Sequence, residues 1–167
     1  MCDPTPVRNW LIGIFVAIVA AAAIVIGAAI ANGSWWYTYL SPFGMLVAAG
    51  VTAGAILLVG AAQSALTTFC TCAGPACAGP CTNLSSVLTA AKVVLGIQAT
   101  ACLAVALYAW IPFAAQPAQW AIIGSLIVEA ALIISALVFF SQLATCQPTS
   151  TPPRPPGGAG PGAGPTV

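Results

Sequence analysis

Residues 10–31 run for 22 positions without a charged side chain, and three further stretches, 43–69, 86–111 and 118–143, are nearly as apolar. A helix of that first length rises about 33 Å at 1.5 Å per residue. A hydrocarbon core is roughly 30 Å thick and takes about 20 residues to cross, so each stretch reads as a membrane span. Strands of about ten residues that alternate polar and apolar, the mark of a membrane β-barrel, are absent. Helices are then the way left to satisfy backbone polar groups in lipid. Composition closes off the soluble alternative. Three Lys/Arg and two Asp/Glu are the only charges among 167 residues, 60% of the chain is hydrophobic and the mean hydropathy is +1.05. So few charges cannot cover a water-facing surface.

The expected architecture is an all-α integral membrane protein with four transmembrane helices in an antiparallel bundle. Residues 1–9 form a short N-terminus, 10–146 the transmembrane domain with a cysteine-rich inner loop at 70–85, and 147–167 a tail. Ala29-Ile30-Ala31 ahead of Asn32 resembles a signal-peptide cleavage site after the basic Arg8. The apolar run is longer than the roughly 7–15 residues of a signal core, so an uncleaved first helix is expected. The tail carries seven prolines and five glycines and nothing larger than alanine among its aliphatic residues until the final valine. It cannot build a core and is expected to be disordered. "PPRPP" within it has the form of a polyproline ligand, although low complexity is the simpler account.

With four spans, both termini and the 70–85 loop share one side. Arg8, Lys92 and Arg154 fall on or toward it, and the other two loops carry no Lys or Arg, so the positive-inside rule places the termini in the cytoplasm. Trp35, Trp36, Tyr37, Tyr39, Trp110, Phe113 and Trp120 gather at the opposite side, where aromatic rings settle at headgroup level. Pro42 and Pro117 suit first turns of helices, and Pro112 a helix stop.

Three features carry candidate chemistry. Gly50 and Gly54 form a GxxxG pair that lets helix backbones approach closely, against the first span or against another subunit. Glu129 is the single acid inside a span, where an ion costs of order 3 kcal/mol. Counting from the outer turn places Gln98 and Thr100 at its depth, with Cys102 one turn from Gln98 on the same face. Glu129 reads either as a proton or cation site or as a neutral carboxyl bonded to Gln98 or to another helix. Lys92 lies about 10 Å nearer the inner side and is expected to snorkel to the interface.

The third feature is "CTCAGPACAGPC", with Cys70, Cys72, Cys77 and Cys81, joined on the same side by Cys2 and Cys146. A cytoplasmic location argues against standing disulfides and for thiol chemistry, whereas an inverted topology would favour two bridges within the loop. The C-x-C-x4-C-x3-C spacing matches neither zinc knuckles nor common ferredoxin runs, but a C-x-C pair with further thiols suits Cu(I) or Zn(II). S-acylation beside the membrane is an alternative, and so is a loop that simply tolerates cysteine. The chain has no histidine, which removes mixed Cys/His sites. The glycosylation patterns at Asn32 and Asn83 fall on opposite sides and close to helix ends.

Catalysis is not expected, since the chain also lacks an acid pair and a phosphate-binding loop. Two roles remain: an accessory or scaffold subunit packed against partner transmembrane helices, or a soft-metal binding or transfer protein using the cysteines. The lipid bilayer and other helices are the expected partners, and nucleic acid is not.

Overall fold

The computed structural model describes residues 2–31, 42–108 and 112–146. Four helices account for nearly all of them: α1 (Thr5–Ala31), α2 (Pro42–Ala73), α3 (Ala78–Leu107) and α4 (Pro112–Thr145), with a 3₁₀ turn at Pro75–Cys77 between α2 and α3. No strand occurs among the described residues. All four helices are long and apolar enough to cross a membrane. The aromatic cluster at 35–39, Trp110, the Asn32 pattern and the tail lie outside the described residues. Pro42 opens α2 as expected, but Pro112 opens α4 instead of closing α3, and Pro117 lies inside α4.

The largest departure from expectation is at the cysteines. The 70–85 segment is not a loop: α2 runs through Ala73, α3 starts at Ala78, and the reversal takes only the residues between. The CAGP tetrapeptide occurs twice there and behaves differently each time. In the first copy Gly74 takes φ +78, and its N–H donates to the Cys70 carbonyl at 3.3 Å. A left-handed glycine ends the helix in this way because it has no Cβ to clash. Pro75 follows at the start of the 3₁₀ turn with its φ already set. In the second copy Ala78, Gly79 and Pro80 fall in the first turn of α3, where a missing proline N–H costs nothing.

Beside Cys2, Asp3 caps α1 by accepting the Thr5 backbone N–H at 2.9 Å. Hydrogen bonds from the Thr5 hydroxyl and N–H hold the exposed Asp3 carboxyl below the usual carboxylate range.

Buried positions follow a three-four spacing along the helices. On α2 they include Met45, Ala48, Thr52, Ala55, Val59, Ala62, Leu66, Phe69 and Ala73. On α3 they include Cys81, Leu84, Leu88, Ala91, Leu95, Gln98, Cys102 and Val105. The α1 seam, with Val7, Ile14, Ile18, Ala21, Val25 and Ala28 buried, keeps the same step. This is the periodicity of helices packed at shallow angles, knobs into holes. Outside the seam the helices are equally apolar, with Leu57 77% and Ile127 68% exposed. A helix that is apolar on every face belongs in lipid or in the middle of a large core.

α1 packs on α2, α2 on α3 and α3 on α4, while α1 and α4 barely meet. The buried apolar residues divide into two clusters. One, nearer the cysteines, contains Ile14, Ile18, Val59, Leu66, Leu84, Leu95 and Leu143. The other contains Val25, Met45, Ala48, Ala101, Cys102, Val105 and Ile122.

Candidate functional site

Two places in this bundle carry chemistry. The first is the end where six cysteines meet. They gather there as the sequence suggests, but not as thiols: Cys2 is bonded to Cys72, Cys70 to Cys81 and Cys77 to Cys146. The residue before α1 is thereby tied to α2, α2 to α3, and the start of α3 to the end of α4. Every consecutive pair of helices is stapled at the same end. The expectation of unbridged thiols is corrected here, because the helices continue into the cysteine stretch and bring the Cα atoms of each pair to 5.8–6.1 Å. That is the separation a disulfide spans.

The pairing also removes the ground for the soft-metal reading. Metal ligands are thiolates, and Cys70, Cys72, Cys77 and Cys81 are all in bridges. Among the described residues no group of three or more His, Cys, Asp or Glu side chains is placed to hold an ion. Acylation of these six residues is excluded by the same bonds. Cys102 is the free cysteine among the described residues, and it is buried.

The second place is a polar layer between the two apolar clusters. Thr52 on α2, Gln98 on α3 and Ser125 and Glu129 on α4 are all buried, each at a seam position. Thr52 and Ser125 turn their hydroxyls onto their own helices, donating at 2.8 Å to the carbonyls of Ala48 and Ile122 respectively. Gln98 and Glu129 do not have that option. Gln98 is 0% exposed and Glu129 2% exposed, and neither the amide of Gln98 nor the carboxyl of Glu129 has a hydrogen-bond partner. Each unsatisfied buried group costs about 1–3 kcal/mol.

The sequence expectation pairs Gln98 with Glu129 by depth, and the structure buries both in this layer. Thr100 is placed elsewhere, exposed and donating to the Gly96 carbonyl at 2.8 Å. Cys102 is fully buried, one turn along the seam in the apolar cluster farther from the six bridged cysteines. Thr52 and Ser125 were not anticipated. The signal that would have found them is the three-four register, in which Thr52 falls between Ala48 and Ala55, and Ser125 one turn before Glu129. Lys92 does not reach this layer, and its ammonium stands beside Gly60 on α2.

Gly50 and Gly54 do not serve the seam. Gly50 is exposed and Gly54 half-buried, and a Cβ added at either would meet nothing within 4 Å. The contact between α1 and α2 runs instead through the neighbouring alanines, valines and isoleucines, with Leu58 reaching to 3.9 Å from where a Cβ on Gly13 would stand.

Comparison with protein-family models, characterised proteins and solved structures finds no match to this chain.

Proposed function

We propose that this chain is an accessory or scaffold subunit of a membrane assembly: an antiparallel four-helix bundle that crosses the bilayer and docks a partner helix on the outer face of α2. The observation that carries this reading is the unused glycine pair. Small residues are what transmembrane helices use to approach one another when lipid is as apolar as leucine. Here Gly50, with Ala53 exposed beside it, faces away from α1 and α3. Phe43, Leu46 and Leu57, all exposed, extend the stripe by single helical turns. No catalytic step is assigned.

The test uses the emptiness of that face. Because a Cβ added at either position meets nothing within 4 Å, Gly50→Leu with Gly54→Leu is expected to leave thermal stability in detergent unchanged. The same variant is expected to lose the partner that co-purifies with the wild type in mild detergent. Wild-type protein running as a lone monomer, with no partner, would overturn the proposal.

The disulfides support a second element, the orientation. Three bridges persist in oxidising compartments and are rare in reducing cytoplasm. We therefore place the stapled end, with both termini, on the extracytoplasmic side, against the direction favoured by Arg8, Lys92 and Arg154. Helix length agrees with this end standing clear of lipid. α2 has 32 residues and α3 has 30, about ten more than a span needs. The surplus at the cysteine end bears exposed hydroxyls, including Thr67, Thr71, Thr82 and Ser86, each bonded to its own helix. The polar layer lies nine or ten residues from the far ends of α2 and α3, about 15 Å, which is the middle of the hydrocarbon. An impermeant maleimide applied after an impermeant reductant is expected to label the cysteines from the outer face of intact membranes. Labelling from the cytoplasmic face alone would reverse the assignment. Copper or zinc binding would first require these bridges to be reduced, so a soft-metal role is the weaker reading.

A further inference from the structure

Where α1 and α4 fail to close on each other, a cleft of about 220 Å³ opens along the seam with α3 as its floor. Leu11 and Ile18 of α1, Leu88 and Leu95 of α3, and Ile133 and Phe140 of α4 make its walls apolar. Glu129 adds to the wall at one end, but its carboxyl oxygens are buried behind that wall and present nothing polar to the interior. At the other end the cleft is bordered by Arg8, an exposed residue in the first turn of α1. The charge of this residue belongs to the mouth of the cleft and not to its depth, because a long basic side chain lays its stem on apolar surface and keeps its head outside.

The dimensions narrow the occupant. From Arg8 to Ile18 α1 rises about 15 Å, and from Phe140 to Glu129 α4 rises about 16 Å. Half of a hydrocarbon core roughly 30 Å thick is also about 15 Å. With the polar layer at mid-bilayer, the cleft therefore runs from the centre of the membrane to headgroup level at the stapled end, the depth of a single leaflet. A volume of 220 Å³ over that length leaves a cross-section of about 15 Å², the width of one hydrocarbon chain. A partner helix, about 10 Å across with its side chains, is too wide to enter. Water needs two to four polar partners and finds none on these walls.

We propose that the cleft holds one phospholipid of the leaflet at the stapled end, with an acyl chain laid along α1, α3 and α4 and its phosphate on the Arg8 guanidinium. The planar fork of arginine matches two phosphate oxygens at once. Asp3, the neighbouring acid, is engaged at the α1 cap by the Thr5 N–H. Entry is sideways from the bilayer, between α1 and α4. The site rests on the bilayer placement proposed above, with the polar layer at mid-depth, and is independent of the α2 docking face.

Phosphatidylcholine with a diazirine at the end of one acyl chain is the probe, and diacylglycerol with the same chains, which lacks the phosphate, is its control. The full chain in lipid nanodiscs is irradiated with each, and adducts are mapped by mass spectrometry. Lipid-facing Ile127, 68% exposed and close to the level of Glu129, serves as the reference. The ratio of adducts at Ile18 and Leu95 to those at Ile127 is expected to be about tenfold higher for the phospholipid than for diacylglycerol, the effect of one charge-assisted hydrogen bond. Arg8→Gln is expected to bring the phospholipid ratio down to that of diacylglycerol, and Ala136→Phe, which fills the cleft, to abolish cleft adducts with both probes. A phospholipid ratio unchanged in Arg8→Gln, or equal to that of diacylglycerol in the wild type, would overturn the site while leaving the bilayer placement intact. Chain-end probes that fail to label Ile127 itself would overturn the placement, and the site with it.

Discussion

At the stapled end six cysteines are joined in three bonds and the hydroxyls of Thr67, Thr71 and Thr82 are bonded to backbone carbonyls, whereas in the polar layer four atoms of Gln98 and Glu129 are buried with no partner. The two regions lie in one bundle and use the same seam. Cys77 and Cys81 occupy it near one end and Gln98 farther along the same face of α3. What separates them is the use of covalent and polar capacity. The stapled end is fully determined, since each of the three bridges ties a different consecutive pair of helices. The polar layer is under-determined, and its unsatisfied groups are tolerated only because the packing around them is fixed from elsewhere. A bundle locked at one end can carry an energetic deficit at another level.

The contrast can be broken most forcefully at the staples. The bridges Cys2–Cys72 and Cys77–Cys146 span sequence separations of 70 and 69 residues. Loop-closure entropy makes each worth about 4 kcal/mol, against about 3 kcal/mol for Cys70–Cys81 with its separation of 11. Cys77→Ser with Cys146→Ser is expected to lower the unfolding midpoint in detergent by roughly 8–16 °C. A drop no larger than that for Cys70→Ser with Cys81→Ser would show that the long-range staple adds nothing beyond the short one. Thiol titration of the denatured, unreduced protein is the companion measurement, and it should find Cys102 alone.

Next in size is Glu129→Leu. The carboxyl is buried without a partner, so replacing it with an apolar side chain of similar volume is expected to raise stability by about 1–3 kcal/mol. Chemical denaturation in detergent reads this directly. A loss of stability would mean that Glu129 has an internal partner, and the two regions would then be alike.

The two CAGP copies give a smaller and sharper test. Gly74→Ala places a Cβ on a residue at φ +78 and is expected to cost about 1–2 kcal/mol. Gly79→Ala lies within α3 with open space around the added carbon and is expected to stabilise by up to about 1 kcal/mol. Equal effects of the two substitutions would sink the account of how one tetrapeptide ends a helix and begins the next.

The smallest effect is at Asp3. Its carboxyl is held below the ordinary range by Thr5, so its contribution to the α1 cap is present at neutral pH and is lost as the pH falls through the folded value. Hydrogen exchange at the Thr5 amide should quicken in Asp3→Asn at neutral pH relative to the wild type. Amides of α2 and α3 around Cys70 and Cys81 should not respond.

Several of these features are legible in the chain before it folds. Four helices follow from apolar length, and Glu129 stands out as an intramembrane acid with Gln98 at its depth, because depth along a helix is a count of residues. The helix bounds were less legible around the cysteines. Thr71 and Thr82 fall in the expected 70–85 loop, yet each satisfies its hydroxyl on its own helix, and the alanines between them sustain the helical turns. Gly50 and Gly54 were conspicuous, but they do not make the contact with α1. The inward face of α2 is marked by Ala48, Ala55 and Ala62, which are as small and as apolar as much of the outward face.

The sequence by itself determined that this chain forms long helices suited to lipid, that six of its cysteines share one end, and that one acid lies deep in an apolar segment. These are properties of length, spacing and composition along a single strand of chain. Which face of each helix turns inward was decided only in three dimensions, because hydropathy is nearly uniform around every helix and the choice falls to matching of side-chain volume between neighbours. The state of the cysteines was decided there too. Whether two sulfurs are thiols or a bond depends on Cα separations of about 6 Å between helices, and no spacing within "CTCAGPACAGPC" reveals that Cys72 meets Cys2 and Cys77 meets Cys146.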